Sequence, residues 1–360
     1  MTGVVNFVLD TKFTGFKAEA SAGTTNYSDN DNWKGSLTWG TTFSEGRGHI
    51  ILSGEASDDE GLLVAKRPWN NYGYGFVNNP AYTATNGQPR LIYGDQFSLA
   101  TASWGGIINN TRGQIGSFQP GTTIMFGQNG QQIPVTYGPL ISGAVMSGGD
   151  WNNPLLQVGN QKGGAGLTPD QQRQNLFLRT SYDLEGGGEV YFQASYGHLE
   201  SFSASVPVFY KLSWNVPGDN AFIPDNIAAA AGCNVNSSAP CFNFGTINGD
   251  IGGQHPITER SVYRFLTGID GDFNLFQTDW TWDAYLSYGR STQHVISGNT
   301  INQVKYDMAI DAVRDSNGNI VCRSTLTNPD NGCVPLNLFG IGVASPEALA
   351  YVGGNPWSAA

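Results

Sequence analysis

The 360-residue sequence predicts an all-β fold, namely a partial transmembrane antiparallel β-barrel that runs as an up-and-down meander. Three observations lead to this prediction. Apolar and polar residues alternate in several segments, tight turns rich in glycine join these segments in pairs, and long connections without alternation separate the pairs. Side chains alternate between the two faces of a strand, so each segment should have one apolar and one polar face. Short turns at one end and long loops at the other are typical of outer-membrane barrels.

Residues 278–289 contain the clearest strand pattern in the chain. One predicted face has aromatic residues towards both tips and small or aliphatic residues in the middle: Trp280, Trp282, Ala284, Leu286 and Tyr288. This order is typical of a strand that crosses a bilayer between two aromatic girdles. A half-buried strand of a soluble sheet would also alternate, so the interpretation depends on repetition of the pattern.

The pattern recurs in three hairpins and one weaker strand, about seven strands in all. The hairpins are 33–43 and 49–56 around a turn at 44–48, 175–183 and 190–197 around a turn at 185–188, and 260–270 and 280–289 around a turn at 271–274, and the weaker strand covers about 16–22. Each candidate has about 9–11 residues, enough to span hydrocarbon when tilted. We expect the three turns on the periplasmic side and long extracellular loops at about 57–173, 200–259 and 290–360.

The alternation also predicts which side chains meet lipid. The outward-facing side chains would be Trp280, Trp282, Leu286, Val190, Phe192, Leu176 and Leu178. The inward-facing side chains would be Asp283, Arg179, Asp183 and Gln193. A Lys or Arg on the lipid face costs about 2–4 kcal/mol near the bilayer midplane, so charged side chains are expected in the lumen.

The composition agrees with a barrel, and also with a secreted β-protein. Charged residues make up 13% of the chain, below the roughly 25% of ordinary soluble domains. No run of about 18 apolar residues is present, so the sequence predicts no transmembrane helix. The net charge of −11 argues against a nucleic-acid partner, because phosphate backbones are bound by Lys and Arg. Solvated acidic loops explain this charge, and attraction of cationic or metal-bearing ligands is a weaker alternative.

Four cysteines lie in the predicted long loops. Closeness in sequence favours the disulfides Cys233–Cys241 and Cys322–Cys333. Such loops are not expected to bury much core, so covalent closure would restrict their freedom in the unfolded state. Disulfides imply an oxidising compartment such as the periplasm or the cell surface. Zinc binding is one alternative, although zinc motifs have shorter spacings within a cysteine pair, and reduced thiols without a structural role are the other.

Motifs that carry enzyme chemistry are absent from the sequence. It contains no nucleophile elbow, zinc-protease motif, Walker A motif or dinucleotide-binding motif, so we predict no catalytic residues, no cofactor and no metal site. Residues 315–319 have a faint likeness to a calcium loop, but a hairpin turn between 312–314 and 320–322 is the better interpretation. Residues 168–171 and 345–348 each have a capping residue followed by proline, which predicts two helix starts.

The opening of the chain carries a family resemblance. Residues 3–9, GVVNFVL, followed by Lys12 and Phe13-Thr14-Gly15, resemble the plug-to-barrel junction of TonB-dependent outer-membrane receptors. Further segments resemble loops and strand starts of the same family, namely 168–173 running into 176–179, and 319–323 through 333–337.

The resemblance implies a domain organisation. Residues 1–12 would end the plug domain, and residues 13–360 would form the N-terminal part of the barrel. The family barrel is plugged and has about 22 strands, far more than the strands predicted here. The chain is therefore expected to be a fragment, with the TonB box and most of the plug lying before Gly3.

The resemblance also implies a function. The protein would be a receptor in the outer membrane of a Gram-negative bacterium, not an enzyme, and would take up a scarce nutrient such as siderophore-bound iron or a sugar. Its partners would be outer-membrane lipid, the small-molecule nutrient and, for the full-length parent, the TonB complex. Aromatic side chains of the first long loop would stack on the ligand, with packing of the loops themselves as the alternative: Trp69, Tyr72, Tyr74, Phe76, Trp104 and Trp151.

Two other functions remain open at this point. A secreted carbohydrate-binding or adhesive β-protein would arrange the strands as a soluble sandwich, with protein covering both sheet faces and with shorter loops. A passive porin-like channel would lack a plug, against which the opening motif argues.

Overall fold

The computed structural model of the chain describes residues 3, 9–63, 67–108, 123–157, 166–204, 211–353 and 357–359. Strands account for 52% of the structure and helices for 12%, and the sheets are antiparallel. The chain is therefore all-β. Within the described residues the strands do not close into a barrel.

Strands and helices follow one another in this order along the chain. They are β1 (Gly15–Thr24), β2 (Asp31–Phe43), β3 (Gly48–Asp59), β4 (Gly75–Asn78), β5 (Leu91–Gly94), β6 (Phe97–Leu99), β7 (Ile107–Ile108), β8 (Thr123–Phe126), β9 (Gln132–Val135), β10 (Tyr137–Ser142), β11 (Val145–Gly149), β12 (Asp170–Asp183), β13 (Glu189–Phe202), β14 (Lys211–Pro217), α1 (Asp225–Ala231), β15 (Pro240–Thr246), β16 (His255–Leu275), β17 (Thr278–Gly298), α2 (Gln303–Ile310), β18 (Ala312–Arg314), β19 (Ile320–Cys322), α3 (Pro346–Val352) and β20 (Trp357–Ala359). Short 3-10 helices lie at Ser44–Gly46, Pro68–Tyr72, Pro154–Leu156 and Arg323–Leu326.

A single large sheet organises the described part of the chain. Its eight strands are ordered β1-β2-β3-β12-β13-β16-β17-β20. All except the three-residue β20 are long, and the seven long strands pair in the order in which they occur along the chain. The sheet is therefore an up-and-down meander into which the other strands are inserted.

Three tight turns lie at one end of this sheet, which we call the turn end. They join β2 to β3, β12 to β13, and β16 to β17. The pairing of Tyr182 with Gly48 and of Glu189 with Asp270 brings all three to the same end. The β1–β2 connection, residues 25–30, turns at the opposite end.

The third turn differs from its predicted position. Residues 271–274 do not form a turn, because β16 continues through Leu275, which pairs with Thr278. The turn consists of Phe276 and Gln277, whose φ angles are 55° and 61°. Positive φ at both central residues is the two-residue turn geometry that matches strand twist. The prediction missed it because neither residue is one that ordinarily marks such a turn.

The long connections form a second packed body at the other end of the sheet. The described parts of residues 60–169, 203–254 and 299–353 together make up this body, which we call the cap. A five-stranded sheet, β14-β15-β7-β8-β9, combines strands of the first two connections. The expectation that the long loops bury little core is therefore wrong. Each connection contributes only short strands, and the core forms when the three connections associate.

Aromatic rings dominate the centre of the cap. Phe244 is fully buried, and its ring centroid lies 4.9 Å from that of Phe339 and 6.1 Å from that of Phe126. These three rings come from the three different connections. Buried Tyr306 donates a hydrogen bond from Oη to Asn248 Oδ1 at 2.6 Å, which joins the third connection to the second.

Covalent and ionic contacts reinforce the same association. Cys233 is bonded to Cys241 and Cys322 to Cys333, with Cα separations of 5.2 and 6.1 Å, so the structure holds the pairs favoured by sequence proximity. Both nitrogens at the end of the Arg323 side chain donate to Asp219, at 2.9 and 2.7 Å. This hydrogen bonding raises the pKa of the Arg323 guanidinium above its usual value, so the link between the connections stays ionised.

Of the remaining local predictions, two are confirmed and one is wrong. The predicted helix start at 345–348 is confirmed, since Ser345 Oγ accepts the Ala348 N–H at 3.1 Å and α3 follows. The predicted hairpin is also confirmed as the pair β18–β19. The predicted helix start at 168–171 is wrong, because Asp170 begins β12, which pairs with both β3 and β13. No helix in the described ranges is long and apolar enough to cross a membrane.

The buried rings predict a strong effect of truncation in the cap. We expect Phe244→Ala to lower the free energy of unfolding by about 3–5 kcal/mol, because it leaves a cavity between Phe126, Phe339 and Trp214. Phe276→Ala is the control, since Phe276 is 89% exposed, and it should change stability little. Urea unfolding of both variants in detergent measures the difference. Equal stabilities of the two variants would contradict the described core.

Candidate functional site

One face of the large sheet is apolar along all seven long strands. A row of paired positions crosses the whole sheet on this face, namely Phe16, Trp39, Leu52, Leu178, Ala194, Phe265 and Tyr288. The neighbouring row towards the turn end contains Ile50, Phe192 and Leu286. We call this surface the apolar face.

The apolar face is exposed rather than covered by the described protein. Leu286 is 74% exposed, Phe16 65% and Leu176 56%. Fully burying a side chain of this kind is worth about 1.5–3 kcal/mol, so leaving a whole sheet face in water would be costly. Contiguous apolar patches of this extent mark surfaces that contact lipid or another protein.

Charged residues on the apolar face lie only in the cap-side half of the long strands. They are Asp31, Asp58, Asp170, Glu200, Glu259 and Arg290. The turn-side half of that face instead carries Phe43, Tyr182, Phe273, Trp280 and Trp282. The face therefore carries an apolar band, with aromatic residues towards the turns and charges towards the cap.

The opposite face, which we call the polar face, carries the charged side chains of the strand centres. The sheet places Arg179, Asp183, Gln193 and Asp283 there, opposite the set of side chains expected to face outward. Arg179 is buried and forms a salt bridge with Glu189, at 2.5 Å between Nη2 and Oε1. Its guanidinium also lies 4.4 Å from the ring centroid of Tyr191.

The segment that leads into β1 lies on the polar face. Lys12 Nζ is 2.8 Å from Glu189 Oε2, and this hydrogen bond raises the pKa of Lys12. Gly40 also faces this side, where a Cβ would lie 2.2 Å from the Phe13 carbonyl oxygen. The close approach requires glycine, so the leading segment packs directly onto the sheet. Residues 4–8 of the predicted plug strand lie outside the described residues.

Four exposed aromatic rings form a connected row at the surface of the cap. The ring centroid of Tyr74 lies 5.8 Å from that of Tyr72 and 5.9 Å from that of Tyr93, with Tyr93 stacked nearly parallel at 7°. The Phe76 centroid lies 5.0 Å from that of Tyr93. We call these four rings the aromatic row. Each ring is about half exposed or more, between 47% for Tyr74 and 65% for Phe76.

The β4–β5 hairpin holds the aromatic row in place. Phe76 and Tyr93 pair directly across the two strands, on the face opposite buried Val77. The Tyr72 carbonyl accepts the Gln96 N–H at 2.7 Å, which ties the preceding turn to β6. The row is therefore supported by backbone hydrogen bonds rather than by the rings themselves.

Only some of the aromatic residues that the sequence predicts to bind ligand belong to the aromatic row. Tyr72, Tyr74 and Phe76 do, whereas Trp69 is half exposed in the adjoining 3-10 helix. Trp104 donates its Nε1–H to the Gln157 carbonyl at 3.0 Å, and Trp151 lies against Gly73. Both are half buried and pack within the cap.

Tyr93 belongs to the row but is missing from the sequence-based candidates. The signal that could have found it is the short alternation of residues 91–94, which pairs with residues 75–78. The ligand-binding role of all these aromatic residues stays a prediction.

Acidic groups of the cap are engaged in local structure. The Asp315 carboxylate accepts the backbone N–H groups of Asn317 and Asn319, each at 2.8 Å. Hydrogen bonds from Asn319 lower the pKa of Asp315, as expected for a carboxylate that organises a turn. The described residues contain no group of three or more His, Cys, Asp or Glu side chains arranged to hold a metal ion.

Two searches for related proteins give no match. No protein-family model matches the chain, and a search of curated proteins finds no match. The resemblance to TonB-dependent receptors therefore stays a prediction that rests on the residues quoted for it.

Mutation of Glu189 tests whether the Arg179–Glu189 salt bridge on the polar face is buried. We expect Glu189→Gln to lower the free energy of unfolding by about 3 kcal/mol, because it leaves the buried Arg179 guanidinium without its carboxylate. Urea unfolding in detergent measures this loss. Glu19→Gln is the matched control, since the Lys17–Glu19 pair is largely exposed and should contribute nothing measurable. A loss of the same size in both variants would show that Arg179 is solvated.

Proposed function

We propose that the chain is part of an outer-membrane β-barrel that serves as a receptor for energised uptake of a scarce nutrient. The single observation that carries this proposal is the exposed apolar face that runs across seven adjacent strands. Outer-membrane barrels have such a band on the lipid side and a polar interior. The protein is therefore not proposed as an enzyme.

Lipid is the partner that fits the apolar face best. A bilayer offers an apolar contact along the whole width of the sheet, and between neighbouring long strands the backbone groups are paired in the ladders. The charges of the strand centres lie on the polar face, where Arg179 pairs with Glu189 and the remaining charges would meet the water of a lumen. Charges on the apolar face are confined to its cap-side half, consistent with an interface region at that end. The short turns would then be periplasmic and the cap extracellular.

The open edges of the sheet support a larger barrel. The outer side of β1 and most of the outer side of β17 have no strand partner within the described residues. Unpaired backbone N–H and C=O groups in hydrocarbon cost several kcal/mol each. We therefore propose that further strands pair with both edges, and that residues 13–360 form the N-terminal part of the barrel.

The leading segment favours a plugged receptor over a passive channel. Lys12 and Phe13 contact the polar face, so the chain before β1 approaches from the side proposed as the lumen. This route fits residues 1–12 as the end of a plug domain. For the full-length parent the resemblance adds the TonB complex as the energy-coupling partner, in the outer membrane of a Gram-negative bacterium.

A secreted sandwich fits the observations less well. It would require protein to cover the apolar face, and no described element covers it. The cap has its own core, so it does not supply the missing layer.

Site-directed labels distinguish lipid from water on the two faces. All four cysteines are in disulfides, so a single introduced cysteine can be spin-labelled selectively. In bilayers, a label at Leu286→Cys should be accessible to oxygen in the lipid phase. The matched label at Ser287→Cys, one residue along on the polar face, should be accessible to a water-soluble relaxation agent. Equal accessibility at the two positions would contradict the membrane assignment.

Energised uptake can be measured in cells that carry the complete gene. We expect deletion of the gene to reduce uptake of at least one member of a panel comprising a ferric siderophore, cyanocobalamin and maltohexaose. A protonophore should abolish the same uptake, because the proposed energy source is the inner-membrane proton gradient. The proposal of energised transport fails if deletion leaves all uptake unchanged, or if the affected uptake persists in the protonophore.

A further inference from the structure

We propose that the aromatic row binds a neutral carbohydrate chain, with successive sugar rings stacked on Tyr74, Tyr93 and Phe76. The inference rests on the proposed function, because it assigns the ligand of the cap surface in that receptor. It also narrows the nutrient to one chemical class, a neutral oligosaccharide rather than a charged metal complex.

The rings of the aromatic row are exposed, although the backbone that supports them is ordered. Tyr93 is 60% exposed and Phe76 65%, although each could have been buried at a gain of about 1.5–3 kcal/mol. The β4–β5 ladder holds these two rings side by side before any ligand arrives. A surface that is already ordered binds at a lower entropic cost.

The spacing and the chemistry of the aromatic row suit a chain of sugar rings. Neighbouring centroids are 5.0–5.9 Å apart, close to the distance between successive rings of a linear polysaccharide. Tyr74 and Tyr93 are nearly parallel at 7°, whereas Phe76 is tilted by 51° from Tyr93, so a bound chain would twist between these two positions. The C–H face of a sugar ring is apolar and fits an aromatic ring, while its hydroxyl edge needs hydrogen-bonding groups. Tyrosine hydroxyls supply such groups, and exposed Asn78 lies on the same strand face as Phe76.

The segment around the aromatic row carries little charge. Residues 68–94 contain a single charged side chain, Arg90. The preceding Arg67 is already engaged, at 2.9 Å from Asp29 and 4.2 Å from the ring centroid of Tyr27. A multiply anionic ligand would find little cationic counter-charge here, and the chain as a whole carries −11. A neutral polyhydroxylated ligand needs no cationic counter-charge and is not repelled by the negative net charge.

Titration calorimetry of the full chain in detergent tests the inference with cellohexaose and maltohexaose as probes. We expect at least one hexasaccharide to bind, and Tyr93→Ala to weaken that binding about tenfold or more because the central stacking ring is lost. Tyr93→Phe keeps the ring and should retain most of the affinity. Tyr82→Ala is the matched control, since Tyr82 is an exposed aromatic residue of the same segment outside the row, and it should bind like the unchanged protein.

Several outcomes would overturn the inference. They are no binding of either hexasaccharide at millimolar concentration, equal losses in Tyr93→Ala and Tyr82→Ala, or a ferric catecholate complex that binds through Tyr93 when neither hexasaccharide does. Failure of the proposed function is distinguishable from failure of this inference. Sugar binding with equal lipid accessibility at positions 286 and 287 would refute the membrane role alone, and different accessibilities without sugar binding would refute only the inference.

Discussion

Uninterrupted antiparallel register is the constraint on which the structure of the large sheet depends. The long ladders from β1 to β17 proceed residue by residue without a shift, and β16 and β17 pair in this way over their full lengths. A single extra residue in one strand would move every later side chain to the opposite face. Such a shift in β13 would exchange Val190 and Phe192 with Glu189 and Tyr191. The apolar and polar faces therefore exist only as long as the register is kept.

The sheet and the cap differ in how their apolar side chains are removed from water. The sheet buries little of its apolar side, and we propose that lipid completes it. The cap resembles a small globular domain, with Phe244 and Tyr306 in its core and two disulfides that each have one buried cysteine, Cys241 and Cys322. Short strands tolerate bulges in the cap, as in the β14–β15 pair, because its faces are not divided between lipid and water. The same chain thus contains two kinds of packing that meet at the ends of the long strands.

The proposed ligand surface follows from this division. The cap has a packed apolar core of its own, so the β4–β5 hairpin on its surface can leave large rings exposed. On the sheet, the leading segment contacts the polar face through Lys12 and Phe13, where Gly40 leaves room for the backbone. Ligand capture and lumen occupancy would therefore belong to separate parts of the chain, joined by strands that keep a fixed register.

Local patterns in the sequence were sufficient for the existence of the three strand hairpins, the two faces and the start of α3, but not for the third turn or for the 21-residue length of β16 and β17. Alternation with a period of two and a capping serine act over a few residues, and in this chain tertiary contacts reinforce them. The close cysteine pairs were likewise readable, because a short chain segment brings its own ends together. The predicted plug strand, residues 4–8, lies outside the described residues.

Tertiary structure decided the rest, because the deciding partners are distant in sequence. The helix start at 168–171 lost to strand pairing, since β3 and β13 offer Asp170–Asp183 a ladder on each side. The turn at Phe276 and Gln277 is set by the pairing of Leu275 with Thr278, not by turn-forming residues. Only the folded cap places Tyr93 in the aromatic row and packs Trp104 away from the surface. The core of the cap joins three connections that are separated by long strands. A local periodicity in the sequence does not indicate which distant segments will share a core.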